Sequence, residues 1–319
     1  IRKMGVKFVF NTKIDKKSLK NLEKNYNAVF LAIGAYKEIK LNILNENSKG
    51  VLSGVEFLKE INSGIKPSIG REVLVIGGGN VAIDAARAAK RLKANVTIVY
   101  RREKEDMPAD KKEIEEAEIE GIKIIFLAAP KAVIKNKHFV SALEVDKMKP
   151  GEFDSSGRRK PVPTGEAFKI PCDTVILAVG ERVDSSTISS YGIETNKNGS
   201  IKVDKFTLKT SNPNIYAGGD AITGPNTVTD AMAAGKLFAK TIDKKLTGKD
   251  RWDTLFKKYQ YKNTVPIKPI GGKRNVSKTL NKSARKNNFK EVSLGLKQNE
   301  VKKECMRCLR CDVKEEIHG

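Results

Sequence analysis

The stretch that most constrains this chain is VLVIGGGNVAIDAARAAKRLKANVTIVYRRE, residues 73–103. Four consecutive apolar residues, Val73 to Ile76, read as a buried strand. Three glycines follow, then an Ala-rich helical run, then a second apolar strand, Val96 to Tyr100. A strand, tight turn, helix and second strand make a crossover unit, which commits its surroundings to an α/β sheet. Gly77, Gly79 and Ala82 fit the spacing G-x-G-x-x-A. The first glycine permits the turn, and the second removes a side chain where a pyrophosphate would lie on the backbone. The small third residue lets helix and strand pack closely. Asn80, Val81 and Ala82 begin the helix, whose free N–H groups and positive dipole end suit phosphate. The stretch therefore reads as a dinucleotide site.

The end of the second strand selects the dinucleotide. An NAD site places an acid there to hold the ribose 2′-hydroxyl. Here the strand ends in Tyr100, Arg101 and Arg102, with Glu103 beyond them. Two guanidiniums can hold a 2′-phosphate in bidentate fashion, and an acid would repel it. NADP(H) is therefore the expected ligand, with Arg101 and Arg102 as its selector.

Much of the chain precedes this motif. VKFVF, residues 6–10, predicts a short strand, and KKSLKNLEKN, residues 16–25, a helix. AVFLAIG predicts a buried strand closing at Gly34, residues 50–63 have a helical period, and SGIKPSIGR is a breaker-rich linker. After the motif, a charged helix runs to about Glu120 and stops at Gly121 before a strand. Residues 131–170 read as short strands with a turn-rich excursion, KPGEFDSSGRRKPVPTG. DTVILAVGE is a buried strand ending in Gly180. IYAGGD brings Gly219 and Asp220 to a strand end before a long Ala-rich helix. Residues 246–304, rich in Lys, read as a wrapped extension or a partly disordered arm.

Lys and Arg number 61 against 38 Asp and Glu, a net charge of +23. The lysines are scattered and aromatics make up only 6%, so no stacking platform for bases is visible and no nucleic acid is expected. A field of this size suits steering toward an acidic carrier protein or partner subunit. No apolar run approaches the ~20 residues of a bilayer span.

VFLAIGA, VLVIGGGNVAIDAAR, VYRREKEDMPA, VILAVGERVD and IYAGGDAITGPNTVTDAMAAGK stand in the order found in the pyridine nucleotide-disulfide oxidoreductase superfamily. In particular the chain resembles the small subunit of NADPH-dependent glutamate synthase, over roughly residues 1–245 and more loosely in the tail. The resemblance implies an α/β fold in which an NAD(P)-binding Rossmann-type domain is inserted in an FAD-binding Rossmann-type domain, followed by an irregular C-terminal extension. Residues 1–48 would close the first FAD segment, 49–178 would form the NAD(P) domain, and 179–245 would return to the FAD domain. Residues 246–319 would be the extension. Gly34 and Gly180 would mark the crossings. Asp220, after Gly219, would bond the ribityl or ribose part of FAD. The N–H groups of Thr227, Val228 and Thr229 would face the flavin pyrimidine oxygen and stabilise the charge of reduced flavin. No G-x-G-x-x-G for the FAD pyrophosphate occurs before residue 77, and the expectation is a chain truncated at its N-terminus.

Cys305, Cys308 and Cys311 in ECMRCLRCD have the C-x2-C-x2-C spacing that wraps three corners of a [4Fe–4S] cluster. The ferredoxin pattern would put a fourth ligand at position 315, which is Glu315. The tail resembles that of flavoprotein subunits serving iron–sulfur partners. In that comparison Cys308 and Cys311 fit, and Cys305 stands where alanine is usual. A zinc half-site and plain surface thiols are the alternatives. Cys172 reads as a small core residue, and His138 and His318 receive no role.

The implied reaction is hydride transfer from NADPH to flavin, then single electrons to an iron–sulfur subunit or domain, in the cytoplasm. Cofactors carry that chemistry, so no acid–base triad is expected. A thioredoxin-reductase-like enzyme would need a C-x-x-C in the nucleotide domain, and residues 70–180 hold only Cys172. A basic nucleic-acid-binding or scaffold protein is the other alternative, with binding that collapses in salt.

Overall fold

The computed structural model describes residues 1–154, 157–252, 273–285 and 287–307. Helix α1 (Lys16–Asn25) leads into β1 (Val29–Leu31), β2 (Lys37–Glu38) and β3 (Val51–Ser53). Next come α2 (Gly54–Asn62), β4 (Glu72–Ile76), α3 (Asn80–Arg91), β5 (Asn95–Val99), α4 (Lys111–Ile119) and β6 (Lys123–Ile125). The long strands β7 (Ala128–Asn136), β8 (Phe139–Phe153) and β9 (Arg159–Pro171) precede β10 (Thr174–Leu177) and β11 (Glu181–Arg182). Then follow α5 (Ser186–Ser190), β12 (Ile215–Ala217), α6 (Asp220–Thr223) and α7 (Val228–Thr247). Two further helices span Lys282–Arg285 and Gln298–Arg307. Among the described residues no helix is long and apolar enough to cross a membrane.

The chain divides into two compact units. One comprises Ile1–Ile39 and Glu181–Gln260, the other Lys40–Gly180 and Tyr261–Gly319. The second unit is built on five parallel strands in the order β3-β10-β4-β5-β6. Val73 and Val75 of β4 face one way, into a core with Ile83, Ala86 and Ala89 of α3 and Ile114 of α4. Leu74 and Ile76 face the other way, onto Val133, Leu143 and Val145 of the antiparallel sheet β7-β8-β9. Both faces are covered, which is why β4 is apolar at every position from Val73 to Ile76.

The first unit joins chain segments far apart in sequence. β1 pairs in parallel with β12, Val29 opposite Ile215, and β2 pairs antiparallel with β11. Leu19 of α1, Leu31, Ile188, Ile201, Ile215 and Ala221 form its core. Helix α7 is held by ring stacking of Phe238 on Phe30 at 4.3 Å and by Tyr216 at 5.4 Å. A β-carbon on Gly218 would come within 2.6 Å of the Phe30 ring and 2.9 Å of Ala234, so that glycine sets how closely strand and helix approach.

Three local expectations change. Residues 6–10 form no strand: Val9 and Phe10 are exposed, and Phe8 stacks on Phe10 at 5.8 Å beneath Arg2. A strand needs a neighbouring backbone to satisfy its N–H and C=O groups, and no described strand pairs here. The helix expected over 50–63 yields its first residues to β3, which pairs with β10 before α2 begins at Gly54. The short strands expected within 131–170 are long. Their lysines and glutamates occupy the outward half of an alternating pattern whose inward half, Leu143 and Val145 among them, is buried.

Candidate nucleotide site

The site is assembled at the C-terminal ends of β4 and β5. Gly77 leaves β4 with φ 141, and its N–H donates to the Val99 carbonyl at 3.1 Å. A β-carbon there would overlap the Ala178 carbonyl oxygen and stand 3.3 Å from the Ala82 methyl. The first glycine and the small third residue of the fingerprint therefore act on one contact, the seating of α3 against β4 and β10. At Gly79 the surroundings are open: the nearest atom to a β-carbon would be Pro108 Cγ, at 3.9 Å. Gly79 is also the N-cap of α3, and no side chain caps the helix. Its first turn, with Asn80 exposed and Val81 half-buried, leaves backbone donors and space together. A pyrophosphate fits both requirements.

Residues 100–110 close one side of this turn. The Tyr100 ring lies under Gly78, and its hydroxyl donates to the Asp106 carbonyl at 2.7 Å. Ala109 N–H donates to the Gly78 carbonyl at 3.2 Å, and Asp110 N–H to Asn80 Oδ1 at 3.1 Å. The segment Met107-Pro108-Ala109 is thus stitched to the glycine turn, with Met107 and Ala109 buried and Pro108 exposed.

The two arginines expected to select the cofactor differ. Arg101 is exposed. Arg102 is buried, with its side chain 7% exposed, and its Nη2 donates to Asp154 Oδ2 at 2.6 Å. Burial pushes the Tyr100 phenol up, while Arg102, Arg158 and Arg101 pull the other way. Asp154 and Arg158 were not among the residues that local pattern singled out. The only signal was the string GEFDSSGRRK, which reads as a turn.

The residues expected on the flavin side, Gly34, Gly219, Asp220 and Thr227 to Thr229, belong to the first unit. Gly34 and Gly219 have φ 69 and 64, and Asp220 opens α6 half-buried. Thr227 caps α7: its hydroxyl accepts from Asp230 N–H at 3.2 Å. Val228 and Thr229, at the first turn, are exposed. Glu181 is pushed up by burial and by the Asp220 carboxylate near it. Gly180, with φ 122, ends the second unit's first segment.

The described part of the tail brings no metal site together, and among the described residues no group of His, Cys, Asp or Glu could hold one. Cys305 is exposed on the helix Gln298–Arg307, and Cys308 and Cys311 lie outside the described residues. Glu304, beside Cys305, pairs with Arg307 and accepts from the Asn275 amide and side chain, both at 3.0 Å. Its carboxyl is held down at about 2 by those contacts, with Arg307 the largest cause. Cys172 is buried, and burial pushes its thiol up to about 12, so it is an inert core residue.

Comparison with known proteins places this geometry. The chain is 37% identical over 328 residues to the NADP(+)-dependent formate dehydrogenase subunit beta of Moorella thermoacetica, covering 98% of this chain and 46% of that protein. It is 33% identical to the NADPH-Fe(3+) oxidoreductase subunit beta of Geobacter sulfurreducens, covering 98% and 52%. With the glutamate synthase [NADPH] small chain of Escherichia coli it shares 32% identity, covering 75% and 55%. The chain therefore spans about half the length of these relatives. Among solved structures, Mycobacterium tuberculosis FprA in complex with NADPH superposes with a TM-score of 0.59 at 22% identity, covering 75% of this chain and 70% of that one. The thioredoxin reductase of T. acidophilum superposes at 0.53 with 23% identity, covering 69% and 66%. These likenesses show the two-domain FAD/NAD(P) oxidoreductase fold. The family model described as pyridine nucleotide-disulphide oxidoreductase matches residues 2–235, and the chain belongs to that family.

Proposed function

We propose that this chain is the NADPH-binding portion, and part of the flavin-binding portion, of an oxidoreductase subunit that passes electrons from NADPH through FAD to an iron–sulfur partner in the cytoplasm. One observation carries the reading. The open, uncapped turn at Gly79 is followed, at the end of β5, by two arginines where an NAD site would carry an acid. Three relatives whose names specify NADP+ or NADPH support it.

Gly77, Gly79 and Ala82 would seat the pyrophosphate on α3, and Arg101 and Arg102 would face the 2′-phosphate. Asp220 and the exposed first turn of α7 fit the ribityl and pyrimidine ends of a flavin. Residues 1–76 contain no glycine turn for its pyrophosphate. A bound flavin would supply the acceptor for hydride, and the chain's own task is to hold the nicotinamide donor in reach of it, about 3 to 3.5 Å away. The C-x2-C-x2-C run would then lead toward a [4Fe–4S] cluster, with Cys305, Cys308 and Cys311 as ligands. The named acceptors of the relatives differ, so the proposal stops at the class of partner; a glutamate-synthase-like role is one member of that class.

Disulfide reduction finds no support: Cys172 is buried, and among the described residues it has no cysteine partner. The test is equilibrium binding of NADPH and NADH to the full chain. NADPH is expected to bind at least about tenfold tighter, consistent with charge-assisted contacts to a phosphate. Replacing Arg101 and Arg102 together with Ala should erase the difference. Equal affinities in the unaltered chain overturn the reading.

A further inference from the structure

One side chain joins the glycine turn to the loop after β5. Asn80 is the first residue of α3, and its Oδ1 accepts from Asp110 N–H at 3.1 Å, across 30 residues of sequence. That partner fixes which way the amide is turned. A backbone N–H only donates, so the atom facing it is the carbonyl oxygen, and the NH2 group is left over. Asn80 is exposed, and its Nδ2 donates to no described residue. Two backbone donors adjoin it. Ala82 and Ile83 N–H both donate to the Gly79 carbonyl, at 3.0 and 3.2 Å, whereas Asn80 and Val81 N–H have no acceptor among the described residues.

The loop borders the same space. Pro108 Cγ is the nearest atom to a β-carbon built on Gly79, at 3.9 Å, and Ala109 N–H donates to the Gly78 carbonyl at 3.2 Å. Consecutive residues, Ala109 and Asp110, thus bond to Gly78 and to Asn80, and two bonds fix the tilt of the segment where one would leave a hinge. Asp110 keeps its charge for another purpose: its Oδ1 accepts from the Lys112 and Glu113 amides at 2.8 and 3.3 Å and caps α4. What it gives Asn80 is the N–H. An aspartate at position 80 would accept that N–H equally well, and its charge would suit the first turn of a helix better. Asparagine differs from it in one respect, a donor in place of the second oxygen. That exchange is useful where an anion shares the space.

The geometry points to Asn80 as the side chain that both builds and serves the pyrophosphate site. Its carbonyl oxygen holds Met107-Pro108-Ala109 as a wall beside the glycine turn, a positioning role. Its amide nitrogen is a donor for phosphate oxygen, beside the N–H groups of Asn80 and Val81. The inference rests on the nucleotide reading above and deepens it. Affinity for the half of the cofactor common to NADPH and NADH then resides in Asn80, and the choice between them in the arginines after β5.

The experiment measures dissociation constants of NADPH and NADH for the full chain and for Asn80→Asp and Asn80→Ala, together with hydrogen exchange at the Asp110 amide. Asn80→Asp keeps the acceptor, so that amide should exchange as in the unaltered chain. Both nucleotides should nevertheless bind about a hundredfold more weakly, a donor having become a charge set against phosphate. Asn80→Ala removes both functions: the Asp110 amide should exchange faster, and both affinities should fall about tenfold. In neither variant should the ratio of the two constants move by more than about twofold, since the pyrophosphate is common to both cofactors. A residue that only tied the loop would tolerate aspartate, so unchanged affinity in Asn80→Asp overturns the proposal. So does a loss confined to NADPH, unchanged affinity in Asn80→Ala, or an Asp110 amide that exchanges alike in all three chains. If the unaltered chain binds neither nucleotide, the nucleotide reading fails and takes this inference with it; if it binds them and the variants bind equally well, only the role of Asn80 fails.

Discussion

The ring of Tyr100 occupies the space a side chain at Gly78 would need: a β-carbon there would stand 2.5 Å from ring carbon Cε2. One residue on, at Gly79, nothing lies within 3.8 Å of the same construction, and the backbone has an ordinary φ of −89. Neighbouring glycines in one motif thus answer to different requirements. Gly78 serves the packing of the protein, and Gly79 keeps room for something else.

The two should separate in experiment. Gly78→Ala must displace a buried ring and is expected to cost about 1–3 kcal/mol of stability, read as a lowered denaturation midpoint. Gly79→Ala should leave stability within about 0.5 kcal/mol while weakening NADPH and NADH together by about tenfold or more. A Gly79→Ala chain that binds both nucleotides normally would show that the pyrophosphate does not cross this turn.

Glu120, just past α4, gathers three arginines. It accepts from Arg87 Nη2 at 2.8 Å and lies 3.7 Å from Arg91 and 3.6 Å from Arg285. Arg285, 6% exposed, also pairs with Glu116. This cluster fastens the segment after residue 273 to the nucleotide-binding unit, helped by Phe289 under the Arg91 guanidinium. Arg285→Ala leaves buried carboxylates short of a partner and is expected to cost about 3 kcal/mol. Limited proteolysis should then cut within 273–307 while the rest of the unit stays protected. Arg285→Lys keeps the charge without the planar fork and should fall between. Unchanged denaturation and cleavage would show that the segment is held elsewhere.

In the first unit, the Tyr191 hydroxyl donates to Glu23, and Asn212 donates to the same carboxylate at 2.9 Å. Those two hydrogen bonds, Tyr191 first, hold the Glu23 carboxyl below its ordinary value, while the Glu23 carboxylate pushes the Tyr191 phenol up to about 12. The lowered carboxyl contributes stability that is full above the ordinary carboxylate range and fades as pH falls through its folded value. The raised phenol contributes stability that is full below its ordinary value of 10.0 and fades as pH rises toward about 12. Tyr191→Phe should therefore lower the melting temperature at neutral pH and flatten both flanks of the stability profile. A variant with the wild-type profile at acid and alkaline pH would remove this pair from the account.

The glycine turn was legible because its determinants are local. Gly77, Gly79 and Ala82 answer to one another within six residues, and the charge at Arg101 and Arg102 follows directly from the strand before it. Arg102's burial and its link to Asp154 were not legible, since a turn-forming string announces the turn and not the surface on which it lands. The length of β8 was hidden for a related reason. Its exposed lysines and acids look like loop until the partner strands define an inside. Residues 6–10 erred in the opposite direction: β-branched and aromatic composition suggests a strand, but pairing is a property of two segments.

The parallel register of β1 on β12 has a consequence for biosynthesis. Glu23 and Asn212, which meet beside that strand pair, are 189 residues apart in the chain. A ribosome releases α1 and β1 long before their partners exist, whereas β3 through β10 emerge as one uninterrupted run. The parallel sheet of the nucleotide-binding unit can form while β1 still waits, its edges open to other chains. Until β12 is made, β1 lacks that partner, and a chaperone acting on this protein would find a target there.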